Sequence, residues 1–220
     1  TVQFISKCGI QMDADARKNH VKHYNYNADY IIWSAEQSLK KLKTDYLDLL
    51  LLHRPSPLMN PDDIAEAITK LKKQGKIRSF GVSNFSPSQI ALVETVMPVE
   101  ANQIEFSLTH NDVMYDATLD DCFVNKRMAM SYSPLGSYFR TDDEISQRIR
   151  KVVKPMQEKY EATEDQLLLA WVMKHPSKIF PVVGTATKSR LSAAIEATKI
   201  NIQKTDWFIL LEAAKGHEVA

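Results

Sequence analysis

Residues Tyr46 to Pro55 read YLDLLLLHRP, with Leu49 to Leu52 running straight into His53, Arg54 and Pro55. A strand with one wet face alternates apolar and polar residues, whereas a strand buried on both faces stays apolar at consecutive positions. The stretch therefore reads as a parallel strand covered on both sides, with an imidazole at its C-terminal end. Further runs of similar character are VQFISKC from Val2, IRSFGVS from Ile77, ANQIEFS from Ala101, MAMSYS from Met128 and IFPVVGT from Ile179.

Helices separate these runs. Asn60 can cap one, Pro61 suits its first position, Asp62 and Asp63 favour its positive end, and Gly75 stands where it should stop. Ile64, Ala67, Ile68 and Leu71 form its apolar face. Ser86-Pro87 repeats the start signal, and Thr163 with Gln166 makes a capping box ahead of the apolar segment through Trp171. Thr187 is expected to cap a segment carrying Leu191, Ala194, Ile195 and Thr198. Strand alternating with helix predicts a parallel α/β domain.

Two architectures compete, a doubly wound sheet and a (β/α)8, or TIM, barrel. No GxGxxG follows a strand, which weakens the first. Polar residues close nearly every strand: Lys7, His53, Ser83 and Asn84, Gln103 and Glu105, Tyr132 and Ser133, Gly184 and Thr185. A barrel gathers all its strand ends at one mouth, whereas an open sheet uses only those beside its switch point. A barrel needs eight strands and about 250 residues, and six tilted strands would leave two unpaired edges. The expectation is a single barrel domain over residues 1–220, incomplete at the N-terminus, with six of eight strands present and roughly two βα units absent from the front.

The chain has 220 residues and a net charge of +1, which argues against nucleic acid or an anionic membrane as partner. No run reaches the roughly 20 apolar residues of a membrane-spanning helix, and no signal-peptide pattern opens the sequence. Two distant cysteines, Cys8 and Cys122, suit a reducing compartment. The expected setting is cytoplasmic and the expected state a monomer. His20 and His23 have a spacing that could hold a metal on a helix, but without neighbouring ligands they read as part of a solvated loop from about Met12 to Asn27. Cys8 reads as a half-buried structural thiol, and Asp48, inside its strand rather than at the mouth, as a carboxylate that is structural or supports site residues from behind. Trp33, Trp171 and Trp207 are expected to pack against the barrel.

Five segments, in order and spacing, resemble the aldo-keto reductases from their third barrel strand onward: YLDLLLLHRP, GKIRSFGVSNFS, ANQIEFS, SYSPLGS and PVVGTATKSRLSAA. HRPSPLMNPDDIAEA and WFILLEAAKGHEVA are similar to a bacterial branch of oxidoreductases within that family. The resemblance implies an NAD(P)H-dependent enzyme that reduces a small aldehyde or ketone to an alcohol.

By the same resemblance His53 points a neutral imidazole N–H at the substrate carbonyl oxygen, and Lys7 is the catalytic lysine that lowers the pKa of a neighbouring tyrosine. The family's acid and tyrosine sit near its second strand, ahead of anything in this chain; Tyr24, Tyr26 and Tyr132 do not occupy the matching place. A chain that truly began at Thr1 would therefore hold half of the tetrad. Ser83, Asn84 and Gln103 match the trio that bonds the nicotinamide carboxamide, and Tyr132 matches the aromatic stacked beneath that ring. Ser133, Leu135, Gly136 and Ser137 match the loop along the pyrophosphate, where Gly136 would let backbone approach closely. Gly184, Thr185 and Arg190 match the adenosine-phosphate end, with Arg190 placed for a 2′-phosphate or to stack on adenine. The sequence departs here from many members of the family, some of which carry Lys where Gly184 stands, and an acid and an amide where Ala193 and Ala194 stand. NADP is the expected cofactor, with NAD or dual use left open. The alternative is a cofactor-binding regulatory or sensor subunit without significant turnover.

Overall fold

The computed structural model describes residues 2–13 and 19–219. Contacts group the chain into two units, Thr1–Gln103 with Asn125–Arg127, and Ile104–Val124 with Met128–Ala220. The first carries β1 (Ile5–Cys8), a hairpin of β2 (Ile10–Gln11) and β3 (His23–Tyr24), α1 (Ala28–Leu42), β4 (Leu47–Leu52), α2 (Pro61–Lys73), β5 (Ile77–Ser83), α3 (Pro87–Glu94) and the start of β6 (Ala101–Glu105). The second carries α4 (Thr118–Val124), β7 (Met128–Tyr132), α5 (Glu144–Tyr160), α6 (Glu164–Met173), β8 (Phe180–Val182), α7 (Lys188–Glu196) and α8 (Lys204–Lys215).

In the first unit the strand order is β1-β4-β5-β6, with parallel pairing throughout. The leucine run is β4, and both of its faces are covered. One face carries Leu50 and Leu52 with Cys8, Phe80 and Val82 into a core shared with Ile31, Ile32 and Ala35 of α1, Ile64, Ala67, Ile68 and Leu71 of α2, and Ile90 and Val93 of α3. Strand alternation turns Leu49, Leu51 and Gly81 to the opposite face. That face is closely filled: a Cβ on Gly81 would lie 2.6 Å from the Ala101 carbonyl oxygen and 2.8 Å from Leu51 Cδ2.

The helix starts follow their punctuation. Asn60 Oδ1 accepts from the Asp62 N–H at 3.2 Å, Pro61 opens α2, and Gly75 takes a positive φ of 70° just beyond its end. Ser86 and Gln89 form a reciprocal capping box on α3. Asp48 accepts from the Phe4 N–H at 2.8 Å and from Arg78 at 2.9 Å, so it fastens the entry of β1 and β5 to β4 and is structural, as its place inside the strand implies. The polar loop after β1 contains more order than its composition announces, because Ile10 and Gln11 pair antiparallel with Tyr24 and His23. His23 thus lies in a strand, not on a helix.

In the second unit β7 and β8 run parallel, with Tyr132 opposite Val182. Its core includes Ile104, Phe106, Leu119, Ile149, Val153, Leu167 and Leu210. Trp171, fully buried, stacks on Trp207 with ring centres 4.8 Å apart, and each indole N–H donates to the other's carbonyl, at 3.1 and 3.0 Å. Trp33 departs from expectation: it is 43% exposed on the outer side of α1 and stacks on Tyr30 one turn away. α7 departs as well. It buries no residue, Leu191 and Ile195 are exposed, and the Thr187 side chain makes no cap. The Thr187 N–H instead donates to Thr185 Oγ1 at 3.1 Å, a local turn that occupies the threonine pair ahead of the helix. No helix among the described residues is long and apolar enough to cross a membrane.

Candidate active site

The strand register brings the candidate residues of the first unit to one face. Lys7 pairs with Leu51, Leu51 with Gly81, and Ser83 with Gln103. Lys7, Leu51, Gly81, Ser83 and Gln103 therefore share a side of the sheet, opposite the helix-facing core. His53 follows Leu52 in alternation and falls on that same side, its backbone N–H donating to the Cys8 carbonyl at 2.9 Å. Lys7 and Ser83 stand at the C-terminal ends of β1 and β5 and His53 directly follows β4, while Gln103 lies at the middle of β6.

The electrostatics of this row favour a neutral imidazole. Burial, then the charges of Lys7, Arg54 and Lys22, hold the His53 pKa below its ordinary value. Burial and then Arg54 lower the pKa of Lys7 as well, although much of its side chain is exposed. Lys7 thus exerts its field on the imidazole from the neighbouring strand. Cys8, next in sequence, turns into the core; it is fully buried rather than half-buried, and its thiol is pushed up to about 12 by burial. It is no thiolate nucleophile.

Ser83 and Asn84 form a short polar turn against Gln103. Ser83 Oγ donates to the Gln103 carbonyl at 2.8 Å and accepts from Asn84 Nδ2 at 2.9 Å, while the Asn84 N–H donates to the same carbonyl at 2.9 Å. Asn84 has a φ of 60°, a left-handed conformation that asparagine tolerates better than most residues. Gln103 is 2% exposed and its Oε1 has no hydrogen-bond partner. A buried acceptor left unpaired is costly, so an orphan here marks a place for a donor from outside the chain.

In the second unit the remaining candidates lie beyond the ends of two paired strands, Tyr132 closing β7 with the 133–137 turn after it, and Gly184, Thr185 and Arg190 following β8. The Tyr132 hydroxyl donates to Glu105 Oε2 at 3.1 Å. The turn is tight, with the Gly136 N–H on the Ser133 carbonyl at 2.7 Å and positive φ at both Ser133 and Gly136. Leu135 packs partly buried against the core. A Cβ on Gly136 would collide with Thr109 Oγ1 and Ser107 Oγ, so those hydroxyls fill the space on that side of the glycine. Thr109 also accepts from the Ser137 N–H at 3.1 Å. Its support of the turn, and the Glu105 contact with Tyr132, were not legible from sequence position, since neither residue neighbours its partner in the chain. Gly184 has open space around it, and Arg190 is exposed in the first turn of α7. Among the described residues no cluster of His, Cys, Asp or Glu could hold a metal ion.

A sequence model of the aldo/keto reductase family matches residues 2–215. The chain belongs to this family. It is 38% identical over 224 residues to the uncharacterized oxidoreductase YcsN of Bacillus subtilis (strain 168), covering 99% of this chain and 75% of that protein. It is 39% identical over 221 residues to oxidoreductase YdhF of Escherichia coli (strain K12), covering 99% of this chain and 74% of that protein. Among solved structures, an aldo/keto reductase from Klebsiella pneumoniae in complex with NADP and acetate superposes with a TM-score of 0.75 at 27% identity, covering 95% of this chain and 69% of that one. The protein is thus an aldo-keto reductase enzyme with an α/β fold of the TIM-barrel type.

Proposed function

We propose that this aldo-keto reductase is an NADP-dependent oxidoreductase that reduces a small aldehyde or ketone to an alcohol, with His53 and Lys7 facing the carbonyl. The observation that carries the reading is the shared face of Lys7, His53, Ser83 and Gln103, with the orphaned Gln103 Oε1 beside Ser83. A primary carboxamide offers an N–H pair and a carbonyl, which suits an unpaired acceptor next to the hydroxyl and amide of Ser83 and Asn84. These three residues would hold the nicotinamide, whose chemistry is donation of a hydride to the carbonyl carbon.

The remaining work falls to the chain. Charge develops on the carbonyl oxygen as the hydride arrives, and a neutral His53 can donate a hydrogen bond to that oxygen. Neutrality matters because it leaves the imidazole on a leucine-rich strand without a buried charge to solvate. Lys7, on the neighbouring strand, adds a positive field at the same edge of the sheet, which favours the developing alkoxide. The family scheme assigns the final proton to a tyrosine. Tyr132 and the 133–137 turn, and separately Gly184, Thr185 and Arg190, are assigned to the remainder of the cofactor. The exposed Arg190 guanidinium favours a 2′-phosphate and hence NADP, although the lysine that some members of the family carry in the place of Gly184 is absent.

The test mixes the native full-length protein with NADPH or NADH and a panel of aldehydes, ketones and 2-oxo acids. Binding is followed by nicotinamide fluorescence and turnover by loss of reduced-nicotinamide absorbance. Saturable NADPH binding with carbonyl-dependent oxidation is expected. Tight binding without turnover on any carbonyl would replace this reading with that of a regulatory subunit.

A further inference from the structure

Beyond His53 the strand leaves the sheet. The last ladder pair of β4 is Leu52 with Cys8, and Pro55, which has no N–H, follows Arg54. Both backbone groups of Arg54 take their partners from a side chain. Tyr26 supplies them. Its hydroxyl donates to the Arg54 carbonyl and accepts from the Arg54 N–H at 3.3 Å. The ring reaches this point by crossing Gly9, which has a φ of 100° and could not carry a Cβ without colliding with it. The Asn25 N–H, one residue before Tyr26, donates to the Gly9 carbonyl at 2.8 Å, and the hairpin of β2 and β3 closes behind. Tyr26 is 5% exposed and belongs to the same core as Cys8 and Leu52. Burial raises its pKa, so it remains a phenol able to donate.

We propose that Tyr26 is a positioning residue for His53. The backbone of His53 is held on one side by the Cys8 carbonyl, and the peptide after it is held on both polar groups by one phenol. This fixes the direction in which the imidazole leaves the strand end. A general hydrogen-bond donor must be held to within a fraction of an ångström, and small misplacements in such sites cost one to two orders of magnitude in rate. The proposal rests on the assignment of His53 above.

The test is Tyr26→Phe in the native full-length enzyme, which keeps the ring over Gly9 and removes only the hydroxyl. Expected are a fall in kcat of about tenfold or more and changes of less than about threefold in carbonyl KM and in NADPH affinity by fluorescence. Gly9→Ala displaces the ring instead and should give the same kcat-selective loss, so an unstable variant of either kind leaves the other to decide. In a His53→Ala background neither change should lower the residual rate further. Unchanged kcat in Tyr26→Phe would overturn the proposal, as would kcat, KM and cofactor affinity worsening together, or an undiminished Tyr26→Phe effect without His53. If His53→Ala itself keeps full turnover, the assignment of His53 fails first.

Discussion

Gln103 and His53 are the two side chains whose surroundings say most about chemistry. Gln103 Oε1 is buried and unpaired, so removing the amide should separate binding from folding. Gln103→Leu is expected to weaken NADPH affinity about tenfold, or roughly 1.4 kcal/mol, by loss of one hydrogen bond. Its melting temperature should hold or rise, because an unsatisfied buried polar group is replaced by an apolar one. Fluorescence titration and a thermal melt read the two effects. For His53, burial and the charges of Lys7, Arg54 and Lys22 depress the pKa. The folded state therefore binds this proton less readily than the unfolded chain does. Stability from a neutral His53 is complete above about pH 6.5 and falls as pH drops through that value toward the folded pKa. Histidine NMR should show its titration midpoint below 6.5, moving upward in Arg54→Met. A midpoint at or above 6.5 in the native protein would contradict the electrostatic picture.

At the scale of elements, the strand ends and helix starts were legible because each has a local cause. The run Leu49 to Leu52 needs two covered faces, and Asn60, Ser86 and Gly75 carry their roles in their own chemistry. The hairpin of β2 and β3 was not legible, since two-residue strands are too short to show a period and the approach of the Tyr26 ring to Gly9 beside it joins residues apart in sequence. α7 misled for the opposite reason: Leu191 and Ile195 have helical spacing, yet spacing cannot say whether a face finds a partner. Another feature invisible in the sequence is the link between Arg127 and Glu94. Arg127, with a side chain 3% exposed, donates to both Glu94 carboxylate oxygens at 2.6 and 2.7 Å and to the Val99 carbonyl at 2.6 Å, tying the residues before β7 to the end of α3. Arg127→Leu should cost roughly 2–4 kcal/mol, below the full value for a buried pair because Glu94 is about one-third exposed. Hydrogen bonding to Arg127 lowers the Glu94 pKa, so this contribution is present above the ordinary carboxylate range and is lost as pH falls through the lowered value. Urea melts of native and variant protein at neutral and acid pH should converge on acidification; a constant difference would refute the pairing.

At the scale of the whole molecule, what the sequence could not supply was register. The residues Lys7, His53, Ser83 and Gln103 span almost a hundred positions, and only parallel pairing in one register turns all four to a common face. A slip of one residue in any pair would send one of them into the helix-packed core. Fold type and family follow from distributed features, such as segment order and strand ends, and so survive without coordinates. The choice of face, the orphaned amide and the clamp on Arg54 depend on contacts between distant residues. The most direct test of the central claim compares the native full-length enzyme with His53→Ala in steady-state NADPH oxidation with a reactive aldehyde, alongside NADPH titration. The account predicts turnover reduced at least about a hundredfold with cofactor affinity within about threefold of native; full turnover in the variant would contradict it.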